Sequence, residues 1–226
     1  MSVIFLGILL IPDTFIAIAT HGKSKLVVLG PLVLWLIMQT SFTSITQGII
    51  GDSTLGTLEQ LYISSGGYCK IIFLKALSSF ILNMIPTFSI ICIISLIIKT
   101  NLLGFLIGLP IIILGIPSIW GFSLIAGAFI LAFKQVSMIV TIFSVIFFSG
   151  ISYLSLKNMD SIFFHILPFG TSNKVSLSII QNINYDFGIF DMIMIIANST
   201  VYLVIGIMCF KFAENYAKKH GKLGMH

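Results

Sequence analysis

Four polar side chains stand inside or at the edges of otherwise apolar runs, and they are the residues best placed to do chemistry: Asp13, Asn83, Asp191 and Asn198. An ionised carboxylate at the centre of a helix in hydrocarbon costs about 2.5–3.5 kcal/mol on insertion scales. Asp13, beside Pro12, must therefore be reached by water, be paired with another helix, or lie along a path for a polar solute. Asn83 and Asn198 pose the same choice between a helix-to-helix hydrogen bond and a pathway, whereas Asp191 fits an outer interface. Asn198-Ser-Thr200 matches a glycosylation sequon, but within a membrane span no modifying enzyme reaches it.

Catalytic and metal-binding patterns are not found. His21, His165, His220 and His226 never fall at metal-ligand spacing, and Cys69, Cys92 and Cys209 form no C-x-x-C pair, so buried thiols acting as small hydrophobes are expected. A phosphate loop needs G-x-x-x-x-G-K-S/T, and the one near match, Gly22-Lys23-Ser24, has Ala17 where the first glycine belongs. An intramembrane protease is equally poorly served: H-E-x-x-H is absent, and Ser149-Gly150 is half of a serine nucleophile motif. The expectation is a chain that is not an enzyme, with no catalytic residues, cofactor or metal of its own.

Composition explains why polar residues stand out. Hydrophobic residues make up 58% of the 226 and charged residues 8%, with a mean hydropathy of +1.13. A water-soluble domain would have to hide more apolar surface than its volume allows, whereas a helical bundle in a bilayer leaves that surface facing lipid. The net charge of +5 comes without a single Arg. Lacking the planar guanidinium fork, and with its Lys in short loops and at the C-terminus, the chain is not expected to bind nucleic acid. Arg-free, Ile-rich composition points to an AT-rich bacterial genome.

The elements that position these residues follow from hydropathy. An all-α, polytopic membrane protein is predicted, a single domain over 1–226 with six spans at about 3–20, 26–50, 71–98, 102–132, 135–153 and 188–210. Pro86, Pro110 and Pro117 are expected bend points in the two longest runs. With both termini cytoplasmic, Lys70, Lys134, Lys211, Lys218, Lys219 and Lys222 lie inside and Lys75 can snorkel back, against Lys23, Lys25, Lys99, Lys157 and Lys174 outside. The 154–187 connection holds two apolar patches too short to span, Ser161–Pro168 and Val175–Ile183, which reads as an outer re-entrant or interfacial segment. Gly104, Gly108, Ser123 and Gly127 are small enough to let helices approach closely.

Between the second and third spans lies a polar stretch from Asp52 to Gly67. Asp52 and Ser53 are good N-cap residues, Gly66-Gly67 is a good stop, and Leu55, Leu58, Leu61 and Tyr62 recur at helical spacing, so a short amphipathic helix over about 54–64 is predicted. Gly56-Thr-Leu-Glu-Gln-Leu61, at this location and followed by Lys75, resembles the coupling-helix region of type-2 ABC exporter permeases. Trp120–Lys134, Phe148-Ser-Gly-Ile-Ser-Tyr153 and Ile166-Leu-Pro-Phe-Gly170 resemble that family's fourth span, fifth span and outer segment, in order. The likeness covers about residues 28–210. In one respect the chain departs from the family, whose members carry a basic amphipathic arm before the first span, whereas here apolar sequence begins directly after Ser2.

The resemblance implies a permease subunit of an ATP-driven exporter in the plasma membrane, forming half of the pathway. It implies pairing with a second permease subunit, identical or not, and with a separate ABC ATP-binding subunit that holds ATP and Mg. Gly56, Thr57, Leu58, Glu59 and Gln60 would couple to that subunit, and Asp13, Asn83 and Asn198 are the candidate polar positions of the pathway. A secondary transporter or channel driven by an ion gradient is the alternative, although no internal repeat supports it.

Overall fold

The computed structural model describes residues 25–54, 68–98, 103–133, 137–156, 165–181 and 188–219, and every regular element among them is a helix. In chain order these are α1 (Lys25–Thr54), α2 (Tyr68–Ile98), α3 (Leu103–Phe133), α4 (Ser137–Leu156), α5 (Gly170–Ile180) and α6 (Ile189–Lys219). All except α5 contain a stretch long and apolar enough to cross a bilayer. This is consistent with a multi-pass membrane protein. The predicted span at 3–20, Asp13, Gly22–Ser24 and Gly56–Gln60 lie outside the described residues.

Five expected spans are present as helices, each within a few residues of its predicted start. Three extend further at their C-terminal ends, α1 to Thr54, α4 to Leu156 and α6 to Lys219. Pro31, Pro86, Pro110 and Pro117 all sit inside unbroken helices. Serine and threonine side chains bond back to their own helices, as Thr40 Oγ1 does to Leu36 O at 2.7 Å and Ser41 Oγ to Ile37 O at 2.7 Å. A hydroxyl in an apolar helix is thereby satisfied without a partner from another element.

Contacts fix the directions in which the helices run. Along α3 and α6, Ile111 packs with Ile195, Ser199 Oγ donates to Leu114 O at 2.7 Å, and Gly121 meets Gly206, so the two helices are parallel in steady register. Phe42 with Phe122 and Ile49 with Gly127 make α1 parallel to α3 as well. By contrast, α2 runs against α1: Tyr68, at the start of α2, donates its Oη to Asp52 near the end of α1 at 3.4 Å, while Ile72, one turn on, lies under Gly48, one turn back. The centre is aromatic: Phe42 of α1, Phe122 of α3 and Phe148 of α4 meet with ring centroids 5.4–6.4 Å apart.

At Gly121 a Cβ would collide with the Tyr202 carbonyl, and at Gly206 with Gly121's own backbone. Two glycines face to face let the backbones of α3 and α6 touch, the close approach that small residues permit between helices in lipid. The small residues expected from the sequence serve other approaches: Gly104 lets α3 come up to the backbone of α5 at Ile179 and Ile180, Gly108 faces Ser176 and Ile180 of α5, and Gly127 takes the Ile49 side chain of α1.

Candidate functional site

The short helix α5 is the feature that an apolar bundle does not need. Its sequence is Gly-Thr-Ser-Asn-Lys-Val-Ser-Leu-Ser-Ile-Ile, and nine of its 11 residues are buried, Asn173 and Ser176 among them. Phe169 and Ser172 lie against Gly115 and Ile180 lies against Gly104, so α5 runs antiparallel to the first half of α3. The chain turns sharply into it at Phe169, which adopts φ 64°, a left-handed conformation costing about 1–2 kcal/mol for a residue with a Cβ. Its ring is 2% exposed, and a Cβ on Gly115 would come within 2.7 Å of it. Burial of that ring in the glycine's space offsets the backbone strain.

Backbone that is not helical within an apolar bundle must find partners for its carbonyls. Asn198 Nδ2 of α6 donates to both His165 O at 2.7 Å and Leu167 O at 3.0 Å, and Tyr202 Oη, one turn on, donates to Ile166 O at 2.8 Å. From the other arm, Ser172 Oγ donates to Ile111 O of α3 at 2.7 Å, and His165 Nδ1 lies 3.2 Å from Thr171 Oγ1. Asn198 is thus engaged in holding the 165–169 turn. Asn83, on the exposed face of α2, is not brought together with it. Asp191 sits buried in the first turn of α6, where Gly188 N donates to its Oδ2 at 3.3 Å, favourable for a carboxylate at a helix start.

A second polar feature lies where α1, α4 and α5 touch one another. Gln39 Nε2 donates to Ser144 Oγ at 3.2 Å across the α1–α4 contact. Ser144, Ser152 and Ser155 recur at spacings of eight and three, which keeps them on one buried face of α4. Among the described residues, Trp35 Nε1 and Gln39 Oε1 of α1, Ser152 Oγ and Ser155 Oγ of α4, and Asn173 Oδ1 and Ser176 Oγ of α5 are buried without a hydrogen-bond partner. Each such group carries a desolvation penalty of about 1–3 kcal/mol. All six are uncharged.

Next to residues 55–67 the structure corrects a prediction. Asp52 and Ser53 do not cap a separate helix; both lie within α1, which continues to Thr54. Asp52 is 5% exposed and its carboxylate takes Lys75 Nζ of α2 at 2.6 Å, with Tyr68 Oη at 3.4 Å. N-cap propensity is outweighed here because a buried carboxylate with a lysine and a phenol in reach is better satisfied than one capping a helix in water.

Sequence reasoning missed Ser172, Ser199 and Tyr202. Their signal was available: Asn198 and Tyr202 are one turn apart on one helix face opposite a segment too short to span. Among the described residues no cluster of three or more His, Cys, Asp or Glu could hold a metal ion. No family model, no curated protein and no solved structure matches the chain.

Proposed function

We propose that this chain is the membrane-spanning permease subunit of an ATP-driven exporter, with six spans, a cytoplasmic coupling helix at about 54–64 and an outer re-entrant segment ending in α5. ATP and Mg belong to a separate ABC ATP-binding subunit, and a second permease copy completes the pathway in the plasma membrane. The observation that carries the reading is the Asp52–Lys75 ion pair at 2.6 Å. It ties α1 to α2 on either side of residues 55–67, so a push on that segment would move two long helices together. Such a push shifts an equilibrium between two states only if the ATP-binding subunit binds them differently.

Further support comes from the alternating directions of α1, α2 and α3, which match successive spans, and from the sequence likeness around Gly56–Gln60. The buried uncharged groups of α1, α4 and α5 that have no partner among the described residues would offer hydrogen bonds to a polar portion of cargo. The test places Glu59→Cys in a cysteine-free background and labels it with an impermeant maleimide in vesicles of known orientation. Labelling from the cytoplasmic side is expected, with co-purification of a co-expressed ABC ATPase that Glu59→Ala weakens. Labelling only from outside, or transport that follows an ion gradient without nucleotide, would replace this reading with a secondary transporter or channel.

A further inference from the structure

A cleft of about 690 Å³ opens between the first turns of α2 and the last turns of α6, floored by Leu124 of α3. Its body is apolar, walled by Phe73 and Leu74 on one side and Leu203 and Ile207 on the other, and its mouth carries Lys70 and Lys211. Spacing explains the layout. Lys70 stands one turn before Phe73 and Leu74, and Lys211 one and two turns beyond Ile207 and Leu203, so each helix presents a stripe of oil ending in a cation. Because α2 and α6 run in opposite directions, both cations fall at the same end.

That end also holds Asp52, Lys75 and Tyr68, whose ring lies 5.7 Å from Phe210 of α6. Both lysines are exposed while Glu214, the acidic residue of the cleft, is buried. Two ammonium groups against one carboxylate leave a single positive charge, which complements a phosphate diester and not a zwitterion. We infer that this cleft is a binding site for one anionic glycerophospholipid, its phosphate between Lys70 and Lys211 and its acyl chains along the α2 and α6 stripes. Basic pockets between spans at the cytoplasmic boundary select anionic headgroups for this reason. The inference is independent of any ATPase partnership.

The test reconstitutes the full chain in nanodiscs of phosphatidylcholine with a minor share of phosphatidylglycerol and measures by native mass spectrometry which lipid stays bound. Wild type is expected to retain phosphatidylglycerol preferentially. Replacing both cations, Lys70→Gln with Lys211→Gln, should lower that preference about 25-fold, since each lysine near an anionic surface is worth roughly a factor of five. Both are exposed, so the double variant should fold. Leu74→Trp, which narrows the cleft and leaves both lysines, should also lower retention. Equal retention of the two lipids by wild type overturns the site, as does a preference that survives the double variant. If Leu74→Trp binds like wild type, the lysines act as general surface charge and the cleft is not the site.

Discussion

The helices α1 and α2 have 30 and 31 residues, and both are apolar enough to cross a bilayer. Yet 72% of the best apolar window of α1 is buried against protein, compared with 17% for α2. The first touches α2, α3, α4 and α5; the second leans on α1, meets α6 through Tyr68 and Phe210, and reaches α3 through Phe73 and Phe80, whose rings meet Trp120 edge-on at 5.3 and 5.7 Å. Hydropathy lets both pass as spans, at 1.2 and 1.7, because lipid and protein interior are equally apolar. Polar patterning does separate them. α1 carries Gln39, Ser41, Ser44, Thr46 and Asp52 as buried residues, while α2 turns Leu74, Ile81, Leu82 and Ile85 outward. The difference teaches that a span rich in small polar side chains is the one that other helices surround.

The sharpest way to break the packed side is at the α3–α6 crossing. Gly121→Ala puts a Cβ into the Tyr202 carbonyl with only backbone to move, so the two helices must separate along their length. A loss of about 3 kcal/mol is expected, the upper end of the usual overpacking range. It should appear as the largest fall in thermal midpoint of the detergent-solubilised protein. A midpoint within 1–2 °C of wild type would mean that the glycines do not set this approach.

Next comes Asn198→Leu, which removes the side-chain donor to His165 O and one of the two donors to Leu167 O, the other being Gly170 N at 3.0 Å. The expected loss is about 1–3 kcal/mol, together with faster proteolysis near residues 157–169. Unchanged stability and cleavage would show that the carbonyls find other partners and that Asn198 is free for another role.

Much of the fold was legible in the sequence because hydrocarbon thickness sets helix length. Thus α1 through α4 and α6 begin close to where hydropathy places them. That the chain between the last two spans would not simply be a polar loop was also readable, from apolar patches too short to span. What could not be read was which small residues meet. Gly104, Gly108 and Gly127 looked like Gly121 and Gly206 in sequence, yet Gly104 meets the backbone of α5, Gly127 meets a side chain of α1, and only the register of α3 and α6 brings Gly121 and Gly206 face to face. Asp52 misled for a related reason. Its type favours a helix start in water, and its actual partner, Lys75, is 23 residues away. Charge pairing between helices depends on their relative direction, which local spacing does not encode.

That ion pair is the next point of attack, since it fastens the exposed helix to the buried one. Asp52→Asn removes the charge and keeps the shape. Lys75's side chain is 46% exposed and can rehydrate, so solvent screening holds the expected loss to about 1 kcal/mol. Asp52→Leu should cost no less, because Tyr68 then also loses its acceptor. Disulfide trapping between cysteines placed at Gly48 and Ile72, which face each other across the two helices, would report whether α2 drifts from α1 in either variant. Trapping at the wild-type rate in both would show that packing alone holds the pair and would weaken its proposed part in coupling.

The smallest effect is expected where the comparison is purest. Asn83 and Asn198 are the same residue type, each inside an apolar run and each a candidate for the pathway by sequence. The fold turns one outward on α2 and engages the other's amide with two carbonyls. Asn83→Leu should change stability by less than about 0.5 kcal/mol, because it exchanges one exposed side chain for another that lipid solvates better. If the substitution instead destabilises by the amount expected for Asn198→Leu, then the outward face of α2 makes a hydrogen bond with another helix in the membrane. A second copy of this chain would be the first partner to test, by asking whether Asn83→Leu also shifts the protein toward monomer on size exclusion. An unchanged elution volume with unchanged stability leaves α2 as a span that faces lipid along most of its length, attached to the bundle by Asp52 at one end and the Trp120 contacts further along.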